Sequence, residues 1–458
     1  MTTVRQPTDT AHEEFARKRR QAATASYQGL FLDYFDIYAP IIALAPAMVF
    51  FTGTDMSQGE KTLIYYLTFA STLIGRPLGS LIFGSLADRI GRRRVSLVTV
   101  AGFTLCTGLI GILPGYDSIG LAAPILLVLL RMLDGVFLGG EYAAAAPMAY
   151  EYVEREKRGS FGGLLQTSFP FAYVTVSAIT LVILQVLPDG GLNSPYVQWG
   201  WRITFLLSAV LSAVFWLFRL KNLPESDLWK KSARVKSPLK AVMFGEHRRV
   251  FWQVFMVMSG LWFITASTSS VIPNLLGSLY GMSDNWITWT MLIAHVLLVA
   301  VFFGAGWGSQ KVGRKPMLVF LGLLVGTAGT ALWCLFAAKL TDNPLLIALM
   351  AIAIPAVVFG VNGVSVTYCN ERFSTGVRSA GFAGAFSLAI VIPNCFAFYS
   401  VWIGHVIPIE YATAVCYVLG GGLIAVGALL GPETRSIDFD AELTVGGAGA
   451  AIKEEHSV

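Results

Sequence analysis

Asp33 and Asp36 stand one helical turn apart in the apolar run "GLFLDYFDIY". Residues at that spacing share a helix face, so the pair can hold and release a proton at one place. Arg131, Asp134 and Glu141 follow at spacings of three and seven in "RMLDGVFLGGEY", again a single face. Arg76 lies about ten residues, or about 15 Å of helix, from the basic end of its own apolar run. An ionisable group inside hydrocarbon costs roughly 2.5–3.5 kcal/mol on insertion scales, so groups placed there serve to bind or to move charge. By depth, Asp33, Asp36, Asp134, Arg76 and Arg131 form one layer. Three carboxylates cannot all be matched by two guanidiniums, and an unmatched buried carboxylate carries a proton instead. Asp33 or Asp36 is the expected proton carrier, with Arg131 competing for the same acid and Asp134 left without an assigned role. An arginine facing a cavity is also the natural counter-charge for a carboxylate ligand, a part open to Arg76 or Arg131.

Polar and aromatic candidates for the opposite wall are Tyr38, Gln166, Tyr173, Trp262, Asn274, Tyr368 and Asn394. Asn274 and Asn394 each directly follow a proline. A helix broken there frees backbone groups and permits a polar site. The C-terminal half has no acid or base in mid-span. Both counter-charges for a dicarboxylate would therefore come from the N-terminal half, whereas a monocarboxylate needs only one.

The elements that must position these groups are membrane-spanning helices. Of the 458 residues 55% are hydrophobic and 13% charged, against about a quarter charged in soluble domains. About 20 apolar residues cross the hydrocarbon, and twelve such stretches occur, near 24–52, 62–87, 95–114, 119–150, 160–187, 202–220, 250–280, 286–309, 316–338, 345–371, 377–404 and 409–430. An all-α integral membrane protein is the expected class. The N-terminus, polar and then basic, lacks the apolar core of a cleavable signal. With both termini in the cytoplasm, nearly every lysine and arginine outside the spans falls on the cytoplasmic side, leaving Lys61, Arg202 and Lys339 outside. The net charge of +5 thus reflects topology and asks for no nucleic-acid partner. The five cysteines show no disulfide or metal-ligand spacing, and His295 and His405 are isolated. No metal, no cofactor besides the proton and no enzymatic activity is expected.

The chain also repeats itself. Shifted by 222, "GSLADRIGRRR" falls on "GWGSQKVGRKP"; shifted by 220, Glu151 falls on Glu371 and Arg158 on Arg378; "LPES" is echoed by "GPET". The expected organisation is a tail at 1–22, a six-helix bundle at 23–220, a charged linker at 221–249, a second six-helix bundle at 250–431 and a tail at 432–458. Parallel repeats of this kind build carriers whose substrate site lies between the halves.

"GSLADRIGRRRVSL" resembles the signature between the second and third spans of the major facilitator superfamily. "GLFLDYFDIY", "IGRPLGSLIFG", "PGYDSIGLAAPILLVLLRMLDGVFLGGEY" and "EYVEREKRG" are similar to the metabolite:proton symporter family, with carriers of 2-oxoglutarate, citrate, shikimate, aromatic acids and proline or betaine. The resemblance is dense over 25–225 and sparser over 300–435. It implies a secondary transporter of the inner membrane, working as a monomer, that takes up a small organic acid with protons by alternating access. It aligns Asp33 and Asp36 with the family's acidic pair and Arg131 with its basic position. Asp134 departs from the neutral residue common there. It further implies a cytoplasmic latch in which Asp88 meets the start of the eleventh span and Arg92 meets acids, with Arg89, Arg93, Glu151 with Arg158, and Glu371 with Arg378 completing it. Gln310 in the place of Asp88 implies a weaker second latch. Alternatives are a proline/betaine-type symporter, for which the expected heptad-repeat tail is missing, a drug-efflux antiporter, and a membrane sensor on a transporter scaffold. The absence of a "GxxxxGKS" loop argues against ATP as the energy source.

Overall fold

The computed structural model describes residues 9–53, 56–232, 235–269 and 271–439. Among these, the regular elements are helices, and no strand occurs. Eleven are long and apolar enough to cross a membrane: α1 (Glu13–Phe51), α3 (Arg92–Gly111), α4 (Ala122–Glu151), α5 (Arg155–Val186), α6 (Tyr196–Asn222), α7 (Arg248–Ser278), α8 (Asn285–Val312), α9 (Arg314–Ala337), α10 (Pro344–Glu371), α11 (Thr375–Asn394) and α12 (Ile409–Leu430). The twelfth, α2 (Gln58–Ile90), has 33 residues, about 50 Å of helix, and carries Lys61, Arg76, Asp88 and Arg89.

Two boundaries depart from expectation for local reasons. The first helix starts at Asp9, well inside the segment read as a tail; the residues there are charged but good helix formers. Prolines then set where regular hydrogen bonding fails. Pro40 and Pro46 lack the amide proton that an α-turn needs, and α1 continues as a π turn at Ala39–Leu44 and a 3-10 turn at Ala45–Phe51. Near Pro393 the eleventh span stops and resumes as a short helix, Phe396–Gly404.

Only one residue separates α2 from α3, Gly91 at φ 108°, and only Gly313 at φ 117° separates α8 from α9. Side chains other than glycine rarely tolerate that backbone.

The arginines are positioned by the crossing of α2 and α4. Gly75 and Gly79 on one helix and Gly135 and Gly139 on the other are each four apart, the small-residue spacing that lets membrane helices touch backbone to backbone. A Cβ at Gly79 would stand 1.8 Å from the Val136 carbonyl oxygen, and one at Gly139 would stand 2.1 Å from that of Arg76. Thr72 Oγ1 adds a hydrogen bond to the Arg131 carbonyl at 3.0 Å. Because the obstacle is backbone, it cannot rotate away. Gly79→Ala should therefore lower stability by about 3 kcal/mol, the upper end for overpacking. The check is the thermal midpoint in detergent, with Gly304→Ala as the comparison, since nothing lies within 4 Å of a Cβ there. An unchanged midpoint for Gly79→Ala would refute the close packing.

Candidate functional site

The close α2–α4 contact leaves Arg76 and Arg131 facing α1, where Asp33 and Asp36 meet them. Arg76 Nη2 lies 2.8 Å from Asp33 Oδ1, Nη1 donates to Oδ2 at 3.2 Å and Nη2 also reaches the Asp33 carbonyl at 3.3 Å. One turn along, Arg131 Nη1 serves two acids, Asp36 Oδ1 and, at 3.0 Å, Asp134 Oδ2. Thr107 Oγ1 donates to the remaining Asp134 oxygen at 3.4 Å. All five charged side chains are at most 5% exposed. The layer read from the sequence is thus assembled, and Asp134 has a place in it as second partner of Arg131.

Asp33 and Arg76 line a narrow cavity closed by Leu138, Gly139 and Tyr142 of α4, Trp262 of α7, and Phe386, Ser387 and Ile390 of α11. Both repeats contribute to it. Tyr142 stacks on Phe386 with ring centroids 4.3 Å apart, and Trp262 Nε1 donates to the Phe386 carbonyl at 3.0 Å. Ser80 Oγ bonds Ser387 Oγ across the halves.

The other expected wall residues distribute differently. Tyr38 belongs to an aromatic cluster with Phe169, Tyr173 and His295, in which Tyr173 and His295 stack at 3.6 Å. His295 Nδ1 also meets the Met291 carbonyl at 2.7 Å. Gln166 is buried and reaches Tyr34 Oη at 3.5 Å. Asn274 is exposed, because its turn of helix presents Ile272, Leu275 and Leu276 inward instead. Asn394 is half-buried and donates to the Ile390 carbonyl at 2.9 Å, satisfying the carbonyl that the proline left free. Neither asparagine lines the cavity. Tyr368 sits at the far end of α10, accepting from Gln253 Nε2 at 3.0 Å.

At the end where α2 turns into α3, the halves are locked together. Asp88 accepts backbone N–H bonds from Ser379 at 3.2 Å and Ala380 at 2.8 Å, at the start of the helix that opens α11, where the helix dipole favours an anion. Glu151 binds Arg92 of its own half and Arg378 of the other, and accepts from Ser226 Oγ. Glu371 is bound by Arg314, whose Nε and Nη2 each lie 3.2 Å from it, and accepts from Thr434 Oγ1 at 2.7 Å. The pairing is therefore not Glu151 with Arg158 and Glu371 with Arg378. Glu151 crosses to Arg378, and Arg158 instead donates to the carbonyls of Val153 at 3.3 Å and Ile437 at 2.7 Å. Arg89 and Arg93 bond the carbonyls of Lys236 and Leu220. They tie down the linker, since each sits about 100° around the helix from its neighbour in the seam, Asp88 or Arg92.

Parts of this end carried no assignment from sequence. Glu225 of "LPES" accepts from the N–H of Arg92 at 3.0 Å and of Arg93 at 3.3 Å; Glu433 of "GPET" repeats this with Arg314 at 2.9 Å and Lys315 at 3.0 Å. Burial pushes Glu433 up, but the N–H groups of Arg314, Arg435, Lys315 and Thr434 outweigh it and hold the carboxyl below its ordinary range. Phe439 lies between two guanidiniums, with Arg158 at 3.6 Å and Arg378 at 3.7 Å from its ring. Gln310 Oε1 accepts from the Gly159 N–H at 2.9 Å, the repeat's counterpart of the Asp88 contact. Arg219, counted by sequence among the cytoplasmic cations, is fully buried on α6 and paired with Glu141, which also accepts from Ser96 Oγ at 3.1 Å and Thr99 Oγ1 at 3.0 Å. Glu141 is thereby occupied as a structural pair. The cysteines are all free, and no group of side chains able to hold a metal occurs among the described residues.

Membrane-spanning helices, two repeats meeting at a buried charged cavity and a lock at one end of their seam define a secondary carrier. The chain belongs to the Major Facilitator Superfamily, whose profile matches residues 28–397. It is a multi-pass membrane transporter of metabolites, not an enzyme. The inner membrane metabolite transport protein YhjE of Escherichia coli is 28% identical over 440 residues, covering 91% of this chain and 95% of the relative. The glycine betaine/proline/ectoine/pipecolic acid transporter OusA of Dickeya dadantii is 27% identical, over 84% of this chain and 77% of its own. Among solved structures, the proton:xylose symporter XylE superposes with a TM-score of 0.72 over 94% of this chain and 99% of that one; at 17% identity the likeness is one of fold.

Proposed function

We propose that the protein is a proton-coupled symporter that takes up a small organic acid by alternating access, its two six-helix halves rocking about the cavity between them. The observation that carries this reading is the count of charges in the buried layer. Asp33, Asp36 and Asp134 face only Arg76 and Arg131, so the layer is neutral only with a proton aboard, and desolvation makes neutrality strongly preferred. The proton is the coupling ion, and no other cofactor is required. The basic segments put the locked end in the cytoplasm with both termini, so the arrangement described is closed to the cytoplasm. A monomer contains the whole site.

Purified protein in proteoliposomes under an inward proton gradient should accumulate one of a panel of labelled acids and zwitterions, and a protonophore should abolish the accumulation. Gradient-independent equilibration of every probe would refute symport. The substrates named for OusA and for the proline/betaine transporter of Escherichia coli, 26% identical over 84% of this chain, favour a second reading, a compatible-solute:proton symporter. Preference for proline or glycine betaine over every acid would establish it.

A further inference from the structure

We infer that the cavity is a site for a monocarboxylate with a flat apolar body, held by Arg76 and Tyr142, and that Asp33 takes the proton that enters with it. This rests on the proposed proton symport and adds the chemical class of the substrate.

Two polar groups lining the cavity have no hydrogen-bond partner among the described residues, Arg76 Nε and Tyr142 Oη. Both side chains are 5% exposed, so both are donors cut off from bulk water, an expensive arrangement unless something in the cavity accepts from them. A carboxylate is an acceptor alone, with about four lone-pair sites. It suits two unsatisfied donors better than an ammonium or a hydroxyl does. The remaining walls are Leu138, Trp262, Phe386 and Ile390, with Ser387 engaged by Ser80. They offer aromatic faces and no charge.

Charge then limits the ligand. The only guanidinium in the lining is Arg76, since Arg131 lies outside it, held by Asp36 and Asp134. A second carboxylate on the ligand would face no cation. Arg76 is already neutralised by Asp33, so an arriving carboxylate competes with that acid. A proton on Asp33 resolves the competition: its carboxylate becomes neutral, Arg76 turns to the ligand, and the cavity keeps zero net charge. On release the ligand leaves as the anion, the proton returns to water and the Asp33–Arg76 pair re-forms. The groups facing Asp33 support this assignment. Asp36 on its own helix and Glu141 on α4 both repel its negative charge, while Tyr34 and Tyr142 bring no cation to replace Arg76. Carboxylate and proton move one for one, so transport carries no net charge.

Wild-type protein in liposomes gives the first test, using labelled protocatechuate, proline, glycine betaine, 2-oxoglutarate and citrate. Protocatechuate should accumulate with an inward proton gradient and ignore a membrane potential imposed by potassium and valinomycin. Accumulation driven by the potential, or preference for a zwitterion or for the di- or tricarboxylate, overturns the inference while leaving proton symport standing. Failure of the proton gradient to drive any probe brings down both. In Asp33→Asn, gradient-driven accumulation should fall at least tenfold while protocatechuate exchange persists and no longer weakens as pH rises. Tyr142→Phe should raise the KM for exchange about tenfold, the size of one lost hydrogen bond to a charged group. Exchange that keeps its pH dependence in Asp33→Asn, or an unchanged KM in Tyr142→Phe, would count against the assigned roles.

Discussion

Glu151→Gln will open the end of the molecule that is held shut. One carboxylate there neutralises Arg92 from the N-terminal half and Arg378 from the C-terminal half, and both arginines are fully buried. Removing its charge leaves two guanidiniums in a dry seam with only Asp88 nearby, 3.9 Å from Arg92. Breaking a buried pair by deleting one partner costs about 3–5 kcal/mol. The penalty applies to the closed arrangement alone, because parting of the halves lets water reach both arginines. The closed population should therefore fall by about a hundredfold or more relative to the open one. Cys369 gives a native reporter, being fully buried on α10 close behind the seam. In a variant retaining only that cysteine, alkylation by a small maleimide should be slow with Glu151 and at least tens of times faster with glutamine. Equal rates would show that the ion pairs do not hold the halves together.

Arg131→Met should be the most damaging single change in the charged layer, more so than loss of either acid it serves. Asp36→Asn leaves Arg131 with Asp134, and Asp134→Asn leaves it with Asp36. Removing the arginine strands both acids in a region at most 5% exposed. A loss of about 3–5 kcal/mol is expected, again the cost of uncompensated buried charge. Adding Asp36→Asn and Asp134→Asn to Arg131→Met should restore most of it, since an uncharged, well-packed set can match a buried ion cluster. Thermal midpoints of the four proteins decide. If the triple variant is no more stable than Arg131→Met, the loss lies in packing of the long side chain and the charge account is wrong.

The spans were legible because hydropathy records the solvent a helix faces, and the charged layer was legible because a charge in an apolar run has little reason to be there except function. The beginning of α1 was not, since charged residues form helices in water as readily as they form tails. Tyr142, Phe386 and Ser387 escaped notice for a different reason. Aromatic and hydroxyl side chains are ordinary in membrane helices, and only the crossing of α2, α4 and α11 selects these three. Asn274 shows the converse: following a proline makes a polar role possible, but the rotation of the helix decides which way the side chain faces. The gate was misread in its pairing because the internal repeat maps Glu151 onto Glu371 and Arg158 onto Arg378. A repeat relates equivalent positions and is silent on which of them touch across the seam. The echo of "LPES" in "GPET" was visible, yet its meaning, a carboxylate that caps the helix starting at Arg92 or at Arg314, depends on where the chain returns.

The two seam contacts are built alike but from unlike materials. On one side Asp88 grips the start of a helix with a full charge, through Ser379 and Ala380; on the other Gln310 does so with a neutral amide, through Gly159. Charge-assisted bonds are roughly twice as strong as neutral ones. A door with one stiff and one soft fastening peels rather than lifts. The seam should start to part along α5 and α8, where the amide lets go, while the Asp88 side acts as the temporary pivot. The first crack is then lopsided, and whatever leaves the cavity escapes past Gly159 before the centre of the molecule is open.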